Sequence, residues 1–152
     1  MVPWRRELMT NCMAGLFIDT WGWLALRDKG DRHHNEAVAA FDKALTSGFI
    51  VTTDYVLDET FTLMFRRLAI HKAKESMEFL ITATGEGGVM MAQVTAARFR
   101  EAVRLRLKFK DKPGISFTDF TSMLVMQELE VKRILTEDGH FAQVGLGFDL
   151  VP

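Results

Sequence analysis

The sequence predicts an α/β fold: a three-layer α/β/α sandwich around a central, mainly parallel sheet. Three observations predict it. Short apolar runs of strand length, such as Leu16-Phe17-Ile18 and Phe49-Ile50-Val51-Thr52, read as strands buried on both faces. Longer stretches with helical apolar spacing alternate with them, which calls for right-handed crossovers and a parallel sheet covered on both sides. The first run leads straight into Asp19 and helix-forming sequence. It thereby brings a carboxylate to the carboxyl end of a strand, where ligands bind in open α/β sheets.

The elements follow in order. Residues 1–14 show no clear period and read as an extension before a single domain spanning 15–152. Trp23 to Leu26 predicts a short helix that Lys29-Gly30-Asp31 ends. His34 to Leu45 predicts a second helix with Ala37, Val38, Phe41, Ala44 and Leu45 inward, stopped by Ser47-Gly48. The strand Phe49–Thr52 comes next. Thr53 or Asp54 caps a helix through about Leu68, whose stripe of Val56, Glu59, Thr60, Leu63, Met64 and Arg67 sets Glu59 on or beside the inward face. A further helix spans about His71 to Ala83, a flexible connection follows at Thr84–Gly88, and Val89-Met90-Met91 reads as the third strand. Thr95 to Lys108 is helical, with Ala96, Phe99, Ala102, Val103 and Leu107 inward. After Pro113-Gly114, Ser116 or Thr118 caps a helix carrying Met123, Leu124 and Met126. Arg133-Ile134-Leu135 is the fourth strand and Phe148–Val151 a fifth.

The 152 residues are 48% hydrophobic and 26% charged, a balance that suits a folded soluble domain and excludes a largely disordered chain. A net charge of −1 decides nothing about a polyanionic partner. Cys12 is the sole cysteine, which excludes an intrachain disulfide and a Cys-based zinc site and fits a reducing compartment. Neither a signal-peptide pattern nor a bilayer-length apolar run is present, so a cytoplasmic protein without membrane association is expected.

Four acids stand where this topology would aim them at one spot: Asp19 after the first strand, Glu59 in the helix after the second, Asp119 at a helix start and Asp138 after the fourth strand. Taken singly, each has an ordinary explanation as a cap, a solvated helical side chain or a turn residue. Together in one cleft they would repel and titrate upward unless a cation neutralised them. Hard oxygen donors with no cysteine and no histidine pair at ligand spacing select Mg²⁺ or Mn²⁺ over Zn²⁺. Such clusters serve metal-assisted phosphodiester hydrolysis. A haloacid-dehalogenase-type phosphatase would need Asp-x-Asp where this chain reads Asp19-Thr20-Trp21.

The strings Phe17-Ile18-Asp19-Thr20, Asp31-x-x-His34 and Thr52-Thr53-x-Tyr55-Val56-Leu57-Asp58-Glu59-Thr60 resemble a PIN domain of the VapC toxin type. So do Ile115-Ser116-Phe117-Thr118-Asp119 and Leu135-Thr136-Glu137-Asp138-Gly139-His140-Phe141, and the likeness spans nearly the whole chain. The resemblance implies an Mg²⁺- or Mn²⁺-dependent endoribonuclease, the toxin of a toxin–antitoxin pair. It implies Asp19 and Asp119 as principal metal ligands, Asp138 assisting, and Glu59 holding water at the ion or a second ion. Thr20 and Thr136 would hydrogen-bond the carboxylates or the phosphate. A homodimer and a groove for an antitoxin segment are implied as well, drawing on the apolar surplus around Phe61, Leu63, Phe65 and Met77. Trp21 and Glu137 depart from the family pattern, which has a small and an apolar residue there.

Between Arg98 and Lys112 seven basic residues face only Glu101 and Asp111, and the run leads toward Asp119. Arg98, Arg104 and Lys108 are candidate RNA contacts, because a phosphate backbone crossing an acidic cleft needs flanking positive charge. The ordinary alternative is a solvated helix face. The four histidines are scattered, and His140 reads as a helper of the turn after the fourth strand. The competing function is a non-catalytic RNA- or partner-binding module on the same fold.

Overall fold

The computed structural model describes residues 14–152. The expected extension and Cys12 lie outside the described residues, except that Ala14 opens the first strand.

Five strands form one parallel sheet in the order β3-β2-β1-β4-β5. They are β1 (Ala14–Ile18), β2 (Gly48–Thr53), β3 (Met90–Ala92), β4 (Arg133–Leu135) and β5 (Asp149–Val151). Strand β1 lies at the centre, with Phe17 opposite Val51 of β2 and Ile134 of β4. The chain moves outward from β1 in one direction for β2 and β3 and in the other for β4 and β5. The crevice at the carboxyl ends of β1 and β4 is therefore the topological switch point.

Helices α1 (Thr20–Arg27), α2 (His34–Ser47), α3 (Asp54–Arg67), α4 (Ile70–Gly85), α5 (Ala96–Lys108), α6 (Phe117–Glu128) and the short α7 (His140–Gln143) cover the sheet in an α/β/α arrangement. Phe17, Ile18, Trp23, Val51, Phe120, Met126, Ile134 and Phe141 are fully enclosed in one core. A buried polar relay locks its centre: Trp23 Nε1 donates to Thr52 Oγ1 at 3.1 Å, and that hydroxyl donates to the Ile18 carbonyl at 2.9 Å. The relay ties α1 to β2 and β1, and leaves no buried donor of the indole or hydroxyl unpaired.

Caps explain several element starts. Thr53 rather than Asp54 caps α3, its Oγ1 accepting from Val56 N at 3.1 Å. Ser116 rather than Thr118 caps α6, accepting from Asp119 N at 3.1 Å.

Some expectations are corrected. The helix α4 continues through Gly85, β3 sits one residue later than expected, and the turn α7 was not anticipated. Leu45 is 45% exposed instead of inward. The largest difference concerns α5. Ala102 is buried as expected, but Ala96, Phe99, Val103 and Leu107 face outward. The helix carries two neighbouring apolar stripes, and it docks through Ala102, Leu105 and the following Phe109. Arg106 fixes that choice. Its guanidinium donates to the carbonyls of Phe109, Lys112 and Ile115 at 2.7, 3.1 and 2.9 Å and lies 4.7 Å from the centre of the Phe120 ring. No described helix is long and apolar enough to cross a membrane.

Candidate active site

Asp19 is the residue around which the switch point is built. It caps α1, its Oδ1 accepting from Gly22 N at 3.0 Å, while its Oδ2 accepts from Thr136 Oγ1 at 2.6 Å. Gly22 makes this possible by close approach: a Cβ there would lie 2.5 Å from the Leu135 carbonyl oxygen and 2.8 Å from Ile18 Cγ2. Only glycine lets the first turn of α1 press against the end of β4. Asp19 is 8% exposed. Burial pushes its carboxyl up to about 7; the bonds from Thr136 and Gly22 pull downward, and the neighbouring Asp119 and Asp138 push upward again.

Asp119 stands in the first turn of α6, half-buried. Burial raises its pKa, Asp138 raises it further, and the Ser116 hydroxyl and His140 oppose the rise. Asp138 follows β4 and is held by its own turn: its N–H donates to Thr136 Oγ1 at 2.9 Å, and its Oδ1 accepts from His140 N at 2.9 Å. Thr136 thus serves two acids at once.

His140 is expected from sequence only as a helper of the turn after β4, and it does brace that turn, but its ring also reaches the acids. Its Nδ1 lies 3.0 Å from Asp138 Oδ1 and 3.5 Å from Asp119 Oδ2, and it is buried without a well-directed hydrogen bond. Ligand atoms of Asp119, Asp138 and His140 all fall within 4.8 Å of one another. The available signal was the placement of His140 two residues beyond a strand-end acid, which turns an imidazole back over that carboxylate.

Glu59 joins from the opposite wall. It projects from α3, and Thr20 Oγ1 donates to its Oε2 at 3.0 Å. The four acids and Thr20 line one cleft of about 680 Å³, while Thr136 lies beneath it. Among the described residues, the ligand atoms close enough to share one cation belong to Asp119, Asp138 and His140, while Asp19 and Glu59 line the same cleft outside that trio; two carboxylates beside a buried imidazole nitrogen fit a divalent cation.

The basic run lies elsewhere. Arg98, Arg104 and Lys108 do not line this cleft. Arg98 donates to Glu128 at 2.8 Å and to the Gln93 carbonyl at 2.7 Å, Arg104 pairs with Glu101, and Lys108 sits over the Phe109 ring. The cleft instead carries Arg67 from α3 and Trp21 from α1. Glu137 at the rim is paired with Arg32 at 2.7 Å and lies 3.6 Å from His33.

No family model matches the chain. The 23S rRNA-specific endonuclease VapC20 of Mycobacterium tuberculosis is 30% identical to it over 130 residues, covering 86% of this chain and 94% of that protein. A VapC ribonuclease of Archaeoglobus fulgidus is 30% identical over 141 residues, covering 90% of this chain and 85% of that one. The crystal structure of M. tuberculosis VapC20, a toxin that cleaves the sarcin-ricin loop, matches the fold with a TM-score of 0.73 at 27% identity, over 90% of this chain and 99% of that one. VapBC2 from Rickettsia felis, bound to a DNA fragment from its promoter, matches with a TM-score of 0.68 at 12% identity, over 90% and 96%, a likeness of fold alone.

Proposed function

Because this chain belongs to the VapC-type family of PIN-domain ribonucleases, we propose that it is an endoribonuclease that hydrolyses RNA phosphodiester bonds with Mg²⁺ or Mn²⁺, and that it is the toxin of a toxin–antitoxin pair. The observation that carries this reading is the convergence of Asp19, Glu59, Asp119 and Asp138 on one cleft, with Asp19 buried and its carboxyl raised to about 7. Four acids held this way are costly without a cation and useful with one.

Asp19, Asp119 and Asp138 would hold the ion, with Glu59 completing the cleft. When bound, the ion supplies Lewis-acid activation of the attacking water and charge stabilisation at the leaving oxygen. The chain's own groups do the positioning. Thr136 fixes Asp19 and Asp138 against each other, Thr20 fixes Glu59, and Ser116 anchors the turn that presents Asp119.

Arg104 and Lys108, both exposed, are kept as outer contacts for RNA beyond the cleft, whereas the Arg98 side chain, 13% exposed and committed to Glu128 and the Gln93 carbonyl, is not free to serve as one. Of the apolar surplus expected to form a partner face, Phe61 and Leu63 pack against the core and Phe65 is 46% exposed; with the outward Phe99, Val103 and Leu107 of α5, at 43%, 37% and 64%, it supports burial against a second copy or an antitoxin segment. An enzyme of this kind works in the cytoplasm, where its RNA lies.

The test is cleavage of a structured RNA pool, ribosomal RNA included, by purified protein with Mg²⁺, Mn²⁺ or EDTA, beside Asp119→Asn. Fragments that require metal and vanish in the variant are expected. Metal-independent RNA binding with no cleavage, from folded protein, would favour a binding module instead.

A further inference from the structure

The cleft holds more than acids. Along α3 its lining follows Val56, Glu59, Leu63 and Arg67, a single helical stripe, and Trp21 and Leu24 of α1 line it as well. An apolar wall contributes nothing to holding a metal ion or a phosphate. It does contribute to holding the flat face of a nucleobase. Trp21 is half-buried, lines the cleft and follows Thr20 directly. The ring of His33, which does not line the cleft, packs against the indole at 5.5 Å between centroids and 60° between planes. That contact holds the indole in place, so little side-chain freedom remains to be lost when a base stacks on it.

Arg67 is exposed and, among the described residues, makes no hydrogen bond or ion pair. Among the described residues it is the single arginine or lysine lining a cleft that also holds Asp19, Glu59, Asp119, Glu137 and Asp138. It stands eight residues along α3 from Glu59, about 12 Å at the helical rise. That distance suits a neighbouring phosphate along the strand instead of the one being cut.

Resting on the ribonuclease reading, we propose that Trp21 and Arg67 form the strand-holding wall of this cleft. Trp21 stacks on an unpaired nucleobase and Arg67 neutralises a phosphate next to it. These two residues determine specificity and strand register; they take no part in the chemistry.

The experiment measures binding of a fluorescein-labelled single-stranded RNA octamer, and of the same strand annealed to its complement. The full chain is used with Mg²⁺ in an Asp119→Asn background, and strand integrity is checked on a gel afterwards. Trp21→Ala is expected to weaken single-strand binding about 5- to 150-fold, the range for losing one base–aromatic stack, while Trp21→Phe keeps most of the affinity. Arg67→Gln is expected to make the slope of log affinity against log salt shallower by about 0.7, one phosphate contact on a single strand, and Trp21→Ala leaves that slope unchanged. Thermal melts of each variant exclude misfolding. If the background still cuts the strand, the same ranking is read from KM. Unaltered affinity in Trp21→Ala, an unaltered slope in Arg67→Gln, or equal binding of the duplex overturns the proposal. If the unsubstituted protein still cleaves RNA, that failure leaves the ribonuclease reading standing. Absence of both binding and cleavage by the unsubstituted protein overturns both.

Discussion

Thr136 Oγ1 donates a 2.6 Å hydrogen bond to Asp19 Oδ2, joining the carboxyl ends of β4 and β1 across 117 residues of chain. The same oxygen accepts from Asp138 N at 2.9 Å. One hydroxyl therefore sets the spacing of two acids that repel each other. Thr136→Val keeps the shape and removes both bonds. It is expected to lower Mn²⁺ affinity about 10- to 100-fold, as loss of a group orienting metal ligands does. Calorimetric titration of Mn²⁺ into both proteins checks this, and equal affinities would show that the hydroxyl is not what organises the pair.

The raised pKa of Asp19 makes stability depend on pH with a definite sign. In the folded protein the carboxyl keeps its proton up to about 7, whereas the unfolded chain releases it near 3.8. Between those values the folded state binds more protons, so metal-free stability falls as pH rises from about 4 through 7 and levels off above. Asp119, also raised, adds in the same direction. Denaturant unfolding in EDTA at pH 5 and pH 8 is expected to differ by a few kcal/mol, on the order of the shift at 1.36 kcal/mol per unit. Asp19→Asn flattens most of that difference. Saturating Mn²⁺ restores stability to the unsubstituted protein at pH 8, by about 2.7 kcal/mol at a hundred times the dissociation constant.

Gly22→Ala tests close approach against helix propensity. In an open helix the change gains about 1 kcal/mol. Here the new Cβ would meet the Leu135 carbonyl oxygen at 2.5 Å. A net loss of about 1–3 kcal/mol is expected from the forced shift of α1, together with weaker metal binding, because α1 carries Asp19 into the site. Chemical denaturation gives the sign directly.

Two arginines of the basic run have opposite roles. Arg106 holds three carbonyls in the loop that leads to Ser116, so Arg106→Gln is expected to cost about 2 kcal/mol or more in stability. Arg104 is exposed and paired only with Glu101, so Arg104→Gln is expected to stay within about 0.5 kcal/mol. If Arg104 contacts RNA outside the cleft, its variant weakens binding by a similar factor for every sequence and makes the salt dependence shallower. Parallel melts and binding titrations separate the two effects.

Much of the architecture is legible in the chain because burial writes itself into local pattern. Leu16-Phe17-Ile18 is apolar at every position since β1 is covered on both faces, and Thr53 and Ser116 mark helix starts because a hydroxyl there satisfies otherwise orphaned N–H groups. Even the acids are readable in part, since Asp19 and Asp138 each follow a strand. Helix α5 shows where local pattern stops. Periodicity gathers Ala96, Phe99, Ala102, Val103 and Leu107 on one face, yet only Ala102 of that set is buried, with the neighbouring Leu105 packed against the core. The choice of face falls to Ala102, small enough for close packing, and to the Arg106 hook on three carbonyls of the following loop.

The sequence by itself determined the α/β alternation, the strand-end carboxylates and the hard-donor chemistry they imply, because each depends on residues near one another in the chain. The tertiary structure alone decided that Thr136 binds Asp19, that His140 turns over Asp119 and Asp138, and that Arg67 instead of the Arg98–Lys112 run enters the cleft. Those relationships arise from the sheet order. Parallel crossovers set β4 beside β1 and stand α3 along one wall, so residues distant in sequence meet at distances that no local period encodes.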